Sequence, residues 1–222
     1  MNSGKLFHQG RPVSALSIEE GLNMFKNWLS SFEKDVILVG HNVKAFDMKH
    51  LIRHARNTGI DFPFLAGFVD TLPLFKSLHP ENSSHSQEAL YQKIIGGTYD
   101  AHNSLCDVIA LCTLLNHSVS NIRSLHPFSY SHDWCKRYVT FLEERDENLL
   151  TFKPLIDLKV ISKSMAEKAA SSGLKYRHLQ LAYMRQGDSG LKSVLGEKFG
   201  GKVRVTKNAR ILTTLVGHFS SK

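Results

Sequence analysis

A short apolar run that stops at a glycine constrains the fold of this chain more than any other feature. In residues 35–40, DVILVG, an apolar run without alternation follows Asp35, which is typical of a strand buried on both faces of a parallel sheet. The polar residues His41 and Asn42 follow at once, and a helical pattern runs from about residue 45 to 58. This succession of strand and helix predicts an α/β fold with parallel strand pairing.

Turn and capping signals place the elements around this strand. Residues 4–13 predict a hairpin with its turn at Gln9-Gly10, and Ser17 with Glu20 forms the capping box of a following helix. A second strand is predicted at 67–71, followed by a helical turn. Further helices are predicted over about 86–95, 102–117, 162–172, 175–185, 191–199 and 208–218, whereas residues 118–150 predict a loop and a solvated helix.

Charge divides the chain into two parts. Residues 1–147 carry 14 Lys and Arg against 16 Asp and Glu, whereas residues 148–222 carry 14 against 4. We therefore predict an α/β domain over 1–147 and a basic, mainly helical region over 148–222. A basic segment attracts nucleic acid through counterion release, and the alternative is an ordinary solvated helical surface. The predicted nucleic-acid contacts of this region are Lys163, Lys168, Lys175, Arg177, Lys202, Arg204 and Lys207.

Composition excludes several classes of protein. The chain is 42% hydrophobic and 22% charged, which is ordinary for a globular protein, and it contains no apolar run near the roughly 18 residues of a membrane span. The first residues show no signal-peptide pattern.

Cys106, Cys112 and Cys135 lack metal-pair spacing, and their odd number predicts a reducing, intracellular location in the nucleus or cytoplasm. Cys106 and Cys112 are expected to pack in the core from one helix.

Two carboxylates and a histidine stand near predicted element ends. Asp47 follows the strand DVILVG, and His102 and Asp107 lie in DAHNSLCDVIAL at the start of a helix. Polar residues at such places meet in one crevice of an open α/β sheet, where carboxylates can hold Mg²⁺ and a neutral histidine can accept a proton. Each residue alone has a simpler reading, as a surface carboxylate or a capping histidine.

The two motifs together resemble a known family. GHNVKAFDMKHL resembles the second motif, and DAHNSLCDVIAL the third, of the DEDDh 3′–5′ exonucleases, which have an RNase H-like fold. VDTLPLFK resembles the segment between them, so the resemblance covers roughly residues 5–117. LFHQGRPV and GLKYRHLQLAYMRQGDSGLK also resemble the PML-like exon nine proteins and the exonuclease-like C-terminal region of the promyelocytic leukaemia protein.

The resemblance implies a set of roles. Asp47 and Asp107 would bind Mg²⁺ or Mn²⁺, His102 would be the general base, and His41 and Asn42 would contact nucleic acid. The implied reaction is two-metal phosphodiester hydrolysis at single-stranded DNA or RNA 3′ ends, without a membrane partner. The carboxylates of Asp47 and Asp107 are expected to converge on one cleft, with His102 at its rim.

The chain departs from the family at its first motif. No aspartate is followed two residues later by glutamate, so the Asp-x-Glu motif is absent. On this resemblance the fold lacks its first strands, and the metal site should be weakened or lost, because affinity for hard cations follows ligand charge. Three explanations stay open: a fragment of an active exonuclease, an inactive binding module, or a sheet whose exposed edge another chain completes.

Overall fold

The computed structural model describes residues 6–8 and 11–221. The chain forms two compact units, Met1–Arg137 and Tyr138–Lys222. The boundary predicted near residue 148 stays a prediction, and the two units are described separately below.

The first unit is a mixed α/β structure, as the sequence predicts. Its hairpin strands β1 and β2 pair antiparallel, and the predicted turn at Gln9-Gly10 lies outside the described residues. Helix α1 begins with the predicted capping box, in which Ser17 and Glu20 bond reciprocally. The elements are β1 (Leu6–His8), β2 (Arg11–Val13), α1 (Ile18–Ser30), β3 (Val36–Gly40), α2 (Asp47–Thr58), β4 (Leu65–Asp70), α3 (Thr71–Leu78), α4 (Gln87–Ile95), α5 (Ser104–Ser118), a 3₁₀ helix (Ile122–Phe128), β5 (Ser129–Ser131) and the start of α6 (His132–Thr151).

A three-stranded sheet in the order β3-β4-β5 organises this unit. Strands β3 and β4 are parallel, which confirms the predicted pairing, and β5 is antiparallel to β4. Gly67 is required in β4 where β5 pairs with it, because a Cβ at this position would lie 2.2 Å from the carbonyl oxygen of Tyr130. The three residues of β5, SYS, carry no apolar pattern, so the sequence predicts a loop there instead of a strand.

The prediction that β3 is buried on both faces is wrong. Ile37 is 52% exposed and Val39 is 41% exposed, while their neighbours in the strand are half-buried. The reason is position: among the described strands β3 pairs only with β4, so it lies at the edge of the sheet. One face of β3 therefore contributes an apolar surface that no described part of the chain covers.

Helix α5 also leaves apolar side chains uncovered. It packs through Leu111 and Leu114 against α3 and α4. The opposite side carries Leu105, Val108 and Ile109, each more than half exposed, and the exposed Cys112. The prediction that Cys106 and Cys112 pack in the core is thus wrong for Cys112, and Cys106 is half-buried.

The third cysteine behaves differently from these. Cys135 in α6 is fully buried, and burial raises the pKa of its thiol to about 12. A thiol with this pKa is protonated at neutral pH and is a poor nucleophile. Cys135 is therefore a packing residue.

The second unit is mainly helical, as the sequence predicts. Its core is formed by large side chains such as Phe152, Leu155, Leu191 and Leu195, together with the alanines of α8. The elements after α6 are α7 (Lys153–Asp157), α8 (Lys163–Ser171), α9 (Tyr176–Gly196), β6 (Lys198–Phe199), β7 (Lys202–Val203) and α10 (Ala209–Ser220). The helix predicted over 191–199 ends earlier than expected, because residues 198–203 form a small hairpin.

Helix α9 is broken at Gly187, whose φ of 55° and ψ of −137° are not helical. The chain after the break returns close to the chain before it. A Cβ at Gly190 would lie 2.1 Å from the carbonyl oxygen of Ala182, so only glycine fits there. The two helices predicted on either side of Gly187 are therefore confirmed as separate segments.

Over residues 6–8 and 11–221, no single helix has the length and hydropathy needed to cross a membrane. Helix α5 and the 3₁₀ helix would pass that test only as a pair, and they are bent by 114°.

Candidate functional site

A buried carboxylate at the end of β4 shapes the region after the parallel strands. Asp70 is only 4% exposed and caps α3 by accepting the N–H of Leu72 at 3.0 Å. It also accepts the backbone N–H groups of Asn42 at 2.9 Å and Lys44 at 3.2 Å. Asp70 thus ties the loop that leaves β3 to the start of α3. No sequence prediction included Asp70, although an aspartate between a strand and a helix is a capping signal.

His41 belongs to the same junction. Its Nε2 donates to the carbonyl oxygen of His85 at 2.8 Å, and its Nδ1 lies 3.0 Å from the hydroxyl of Thr71. Because the carbonyl can only accept, Nε2 carries the proton in the neutral ring and Nδ1 faces the Thr71 hydroxyl as an acceptor; the same hydroxyl also lies 3.4 Å from the carbonyl oxygen of Gly40. Burial is the main cause that lowers the pKa of His41. The ring thus joins three segments, and its predicted contact with nucleic acid stays a prediction.

The loop that follows presents Asn42 and Asp47 to solvent. Asn42 has a left-handed backbone, with φ of 61°, and an exposed side chain. Asp47 is exposed at the first residue of α2, where the positive end of the helix dipole favours a carboxylate. Between them, the ammonium of Lys44 lies 5.0 Å from the ring of Tyr130 and 5.1 Å from that of Trp134. These contacts fix the path of the chain toward Asp47.

His102 precedes α5 instead of starting it. Asn103 is the N-cap, and its side-chain oxygen accepts the N–H groups of Leu105 and Cys106. His102 itself is exposed and has a φ of 68°, a left-handed conformation that is uncommon for residues other than glycine. The ring therefore stands at the entrance of the helix without a hydrogen bond to a described residue.

Asp107 lies one turn into α5 and is half-buried. Its carbonyl oxygen accepts from the side-chain amide of Gln87 at 2.7 Å, and the same amide lies 3.2 Å from the hydroxyl of Tyr99. Burial, and next the negative charge of Asp107, raises the pKa of Tyr99. Gln87 and Tyr99 are thus neighbours of the candidate site that the sequence does not predict, because neither lies in a motif.

The described residues contain no assembled metal centre. In the described part of the chain, no group of three or more His, Cys, Asp and Glu side chains is placed to hold a metal ion. Asp47, His102 and Asp107 are therefore not assembled into such a group. The roles predicted for Asp47 and Asp107 as ligands of Mg²⁺ or Mn²⁺, and for His102 as a base, stay predictions.

The predicted nucleic-acid contacts of the second unit are almost all on the surface. Lys163, Lys168, Lys175, Arg177, Lys202 and Lys207 are exposed. Arg204 differs, because its guanidinium bonds to the carboxylate of Glu197 at 2.8 Å and to the carbonyl oxygen of Ser172 at 2.9 Å. Arg204 therefore contributes to the packing of this unit, and the predicted contacts stay predictions.

Comparison with known families gives two matches. The sequence model of the family described as Exonuclease matches residues 9–115, which include Asp47, His102 and Asp107. That of the family described as PML, C-terminal domain, matches residues 148–222. No curated protein and no solved structure gives a significant match. The chain is thus exonuclease-like in its first half and PML-like in its last third, as the sequence motifs predict.

We expect Asp70→Asn to destabilise the first unit by roughly 1–3 kcal/mol. An asparagine keeps one acceptor oxygen but turns its NH₂ group toward a backbone N–H that Asp70 now satisfies. Urea unfolding of the two proteins measures the difference. Asp157→Asn, at an exposed position of α7, is the control and should change the free energy of unfolding by less than about 0.5 kcal/mol. Equal effects of the two substitutions would contradict the anchoring role of Asp70.

We expect His41→Gln to flatten the pH dependence of stability. Because burial lowers the pKa of His41 in the folded state, the unfolded chain binds this proton more tightly. The stability present above the ordinary histidine pKa of about 6.5 is then lost as the pH falls toward the lowered pKa. Urea unfolding at about pH 7 and about pH 5 measures this loss, to which His132, another histidine with a pKa lowered by burial, also contributes. The idea fails if the variant loses as much stability as the wild type.

Proposed function

We propose that this chain is an exonuclease-like protein that binds single-stranded DNA or RNA 3′ ends and hydrolyses them very slowly or not at all. The observation that carries the proposal is the match of residues 9–115 to the exonuclease family. It works inside the cell, in the nucleus or cytoplasm, where its free cysteines stay reduced.

The placement of the motif residues supports binding at the ends of the parallel strands. His41 and Asn42 follow β3 directly, and Asp70 holds their loop against the start of α3. In open α/β sheets, ligands bind beyond the carboxyl ends of the strands. The first residue of α2, Asp47, follows the same loop and is exposed. A 3′ end would enter this region and contact Asn42, the exposed residue of the pair.

The carboxylate supply argues for weak hydrolysis. The motifs offer Asp47 and Asp107, and the sequence contains no Asp-x-Glu pair to add to them. Hard divalent cations need several oxygen ligands, and their affinity rises with the negative charge of the site. Two carboxylates are a poor match for two dications. His102 is exposed and could accept a proton from an attacking water in any hydrolysis that remains.

The second unit would supply affinity without sequence preference. The described lysines and arginines of residues 148–221 are exposed, except for the half-buried Arg204. Two of its few acidic residues, Glu167 and Glu197, already face Lys163 and Arg204. The remaining cations are available to the phosphates of a single strand.

A protein-binding module is the second candidate function. The observation that favours it is the exposed edge of β3 with its uncovered side chains Ile37 and Val39. A sheet edge of this kind binds another strand through backbone hydrogen bonds. Both functions can coexist, because the edge and the basic surface are different parts of the chain.

We expect the purified chain to digest single-stranded DNA or RNA barely above background with Mg²⁺ or Mn²⁺, because two carboxylates hold the ions poorly. Release of nucleotides from a 3′-labelled oligonucleotide measures this. Asp107→Ala tests the site, and Asp133→Ala, at an exposed position outside both motifs, is its control. Robust digestion that Asp107→Ala abolishes and Asp133→Ala preserves would overturn the proposal that hydrolysis is impaired.

We expect binding of single-stranded DNA to weaken steeply with salt. Each phosphate contact contributes about 0.7 to the slope of log affinity against log salt concentration, so Lys202→Gln and Lys207→Gln should each flatten it by about that amount. Fluorescence anisotropy between about 50 and 200 mM salt measures the slope. Lys76→Gln, at an exposed position of α3, is the control and should leave it unchanged. Binding that does not respond to salt would refute the role of the basic surface.

A further inference from the structure

The outer edge of β3 is unpaired within the described part of the chain. Strand β3 pairs with β4 on one side, and no described strand lies on the other. Natural sheet edges are usually blunted by lysine, proline, a charged side chain that points inward, or a cover. The strand VILVG contains neither charge nor proline. Its backbone N–H and C=O groups on the outer side are therefore suited to accept another strand.

An apolar groove runs along the same strand. It has a volume of about 850 Å³ and is lined by Ile37, Val39, Val69, Ile122, Leu125 and Pro127. Ile122, in the 3₁₀ helix, is 79% exposed. A strand that pairs with β3 would place its alternate side chains beside Ile37 and Val39, so the edge and the groove would be covered together.

The groove also carries one free charge of each sign. Asp35 and Arg123 line it, both are exposed, and neither side chain has a partner among the described residues. A surface that binds a copy of itself around a twofold axis must be complementary to itself. One carboxylate and one guanidinium on the same surface meet this condition, because each can pair with its opposite on the second copy.

We propose that a second copy of this chain binds here, through antiparallel pairing of the two β3 strands into a six-stranded sheet. With Leu38 on the twofold axis, Ile37 of one copy lies opposite Val39 of the other, and the two grooves join on one face. The proposed dimer also pairs Asp35 of each copy with Arg123 of the other. This inference deepens the protein-binding function proposed above by naming the partner, and it is independent of nucleic-acid binding.

The register follows from the side-chain alternation. Directly opposite residues point to the same face of a sheet, so pairing Ile37 with Val39 keeps the exposed side chains of both copies together. A shift by one residue would instead place Ile37 opposite Leu38, and the two grooves would lie on opposite faces of the sheet. Each would then remain exposed, so a shift by one residue does not cover the apolar surface.

The test is the association of the whole chain in solution, measured by analytical ultracentrifugation over a range of concentrations. The wild type should be dimeric. Ile37→Lys should weaken association by at least about tenfold, because a twofold interface contains each substitution twice. Ile37→Val keeps an apolar strand residue and is the matched control, expected to remain dimeric. A wild type that is monomeric throughout would overturn the proposal.

A charge exchange tests the pairing independently of the apolar contact. Asp35→Arg and Arg123→Asp should each weaken the dimer, and the double variant should restore it, because the opposite charges face each other again. Both positions are exposed, so folding does not depend on them, and circular dichroism checks this. A double variant no tighter than the single ones overturns the assigned charge pairing. A dimer that neither Ile37→Lys nor the single charge variants weaken places the interface elsewhere and overturns the proposal.

The same variants keep this inference separate from the nucleic-acid function. A monomeric Ile37→Lys that binds single-stranded DNA as the wild type does would support the dimer without affecting the proposed function. A wild type that forms the dimer but does not bind single-stranded DNA would contradict the proposed function. The dimer proposal would be unaffected by that result.

Discussion

One buried carboxylate connects the parts of the first unit on which a site depends. Asp70 ends β4, caps α3 and binds two backbone N–H groups of the loop after β3. A carboxylate that is 4% exposed is costly to bury unless its oxygens are satisfied, and here three N–H groups satisfy them. The loop geometry and the capping of α3 are therefore mutually dependent, and the side chain of Asp47 is presented from a fixed chain.

The same unit combines a closely packed interior with apolar surfaces that are exposed to solvent. Phe75, Leu90 and Leu114 are fully buried between α3, α4 and α5. The edge of β3 and one side of α5, in contrast, expose apolar residues to solvent. Monomeric proteins rarely expose large contiguous apolar patches. Exposed apolar patches of this kind are typical of surfaces that contact other molecules.

Local sequence signals predicted much of this architecture. The capping box at Ser17, the glycine after α4 and the parallel order of β3 and β4 depend on near neighbours or on simple alternation, and all are confirmed. The exposure of Ile37 does not follow from the apolar run itself, because such a run does not reveal whether a neighbouring strand is present; only the missing first motif left an exposed sheet edge open as an explanation. The role of Asp70 was missed for a related reason, since its partners Asn42 and Lys44 lie far away in sequence. The motif residues were located, but their spatial relation depends on the tertiary fold.

Because of the break in α9, some positions of the second unit tolerate substitution during evolution and others do not. Its many exposed lysines touch little of the core, so they can be exchanged with little effect on folding. Gly190 has no such freedom, because the carbonyl oxygen of Ala182 occupies the space of any side chain. As sequences diverge, the charge pattern of this region can change, whereas the close approach of Gly190 to Ala182 has to be kept. A distant relative would therefore be recognised by that glycine rather than by a basic surface.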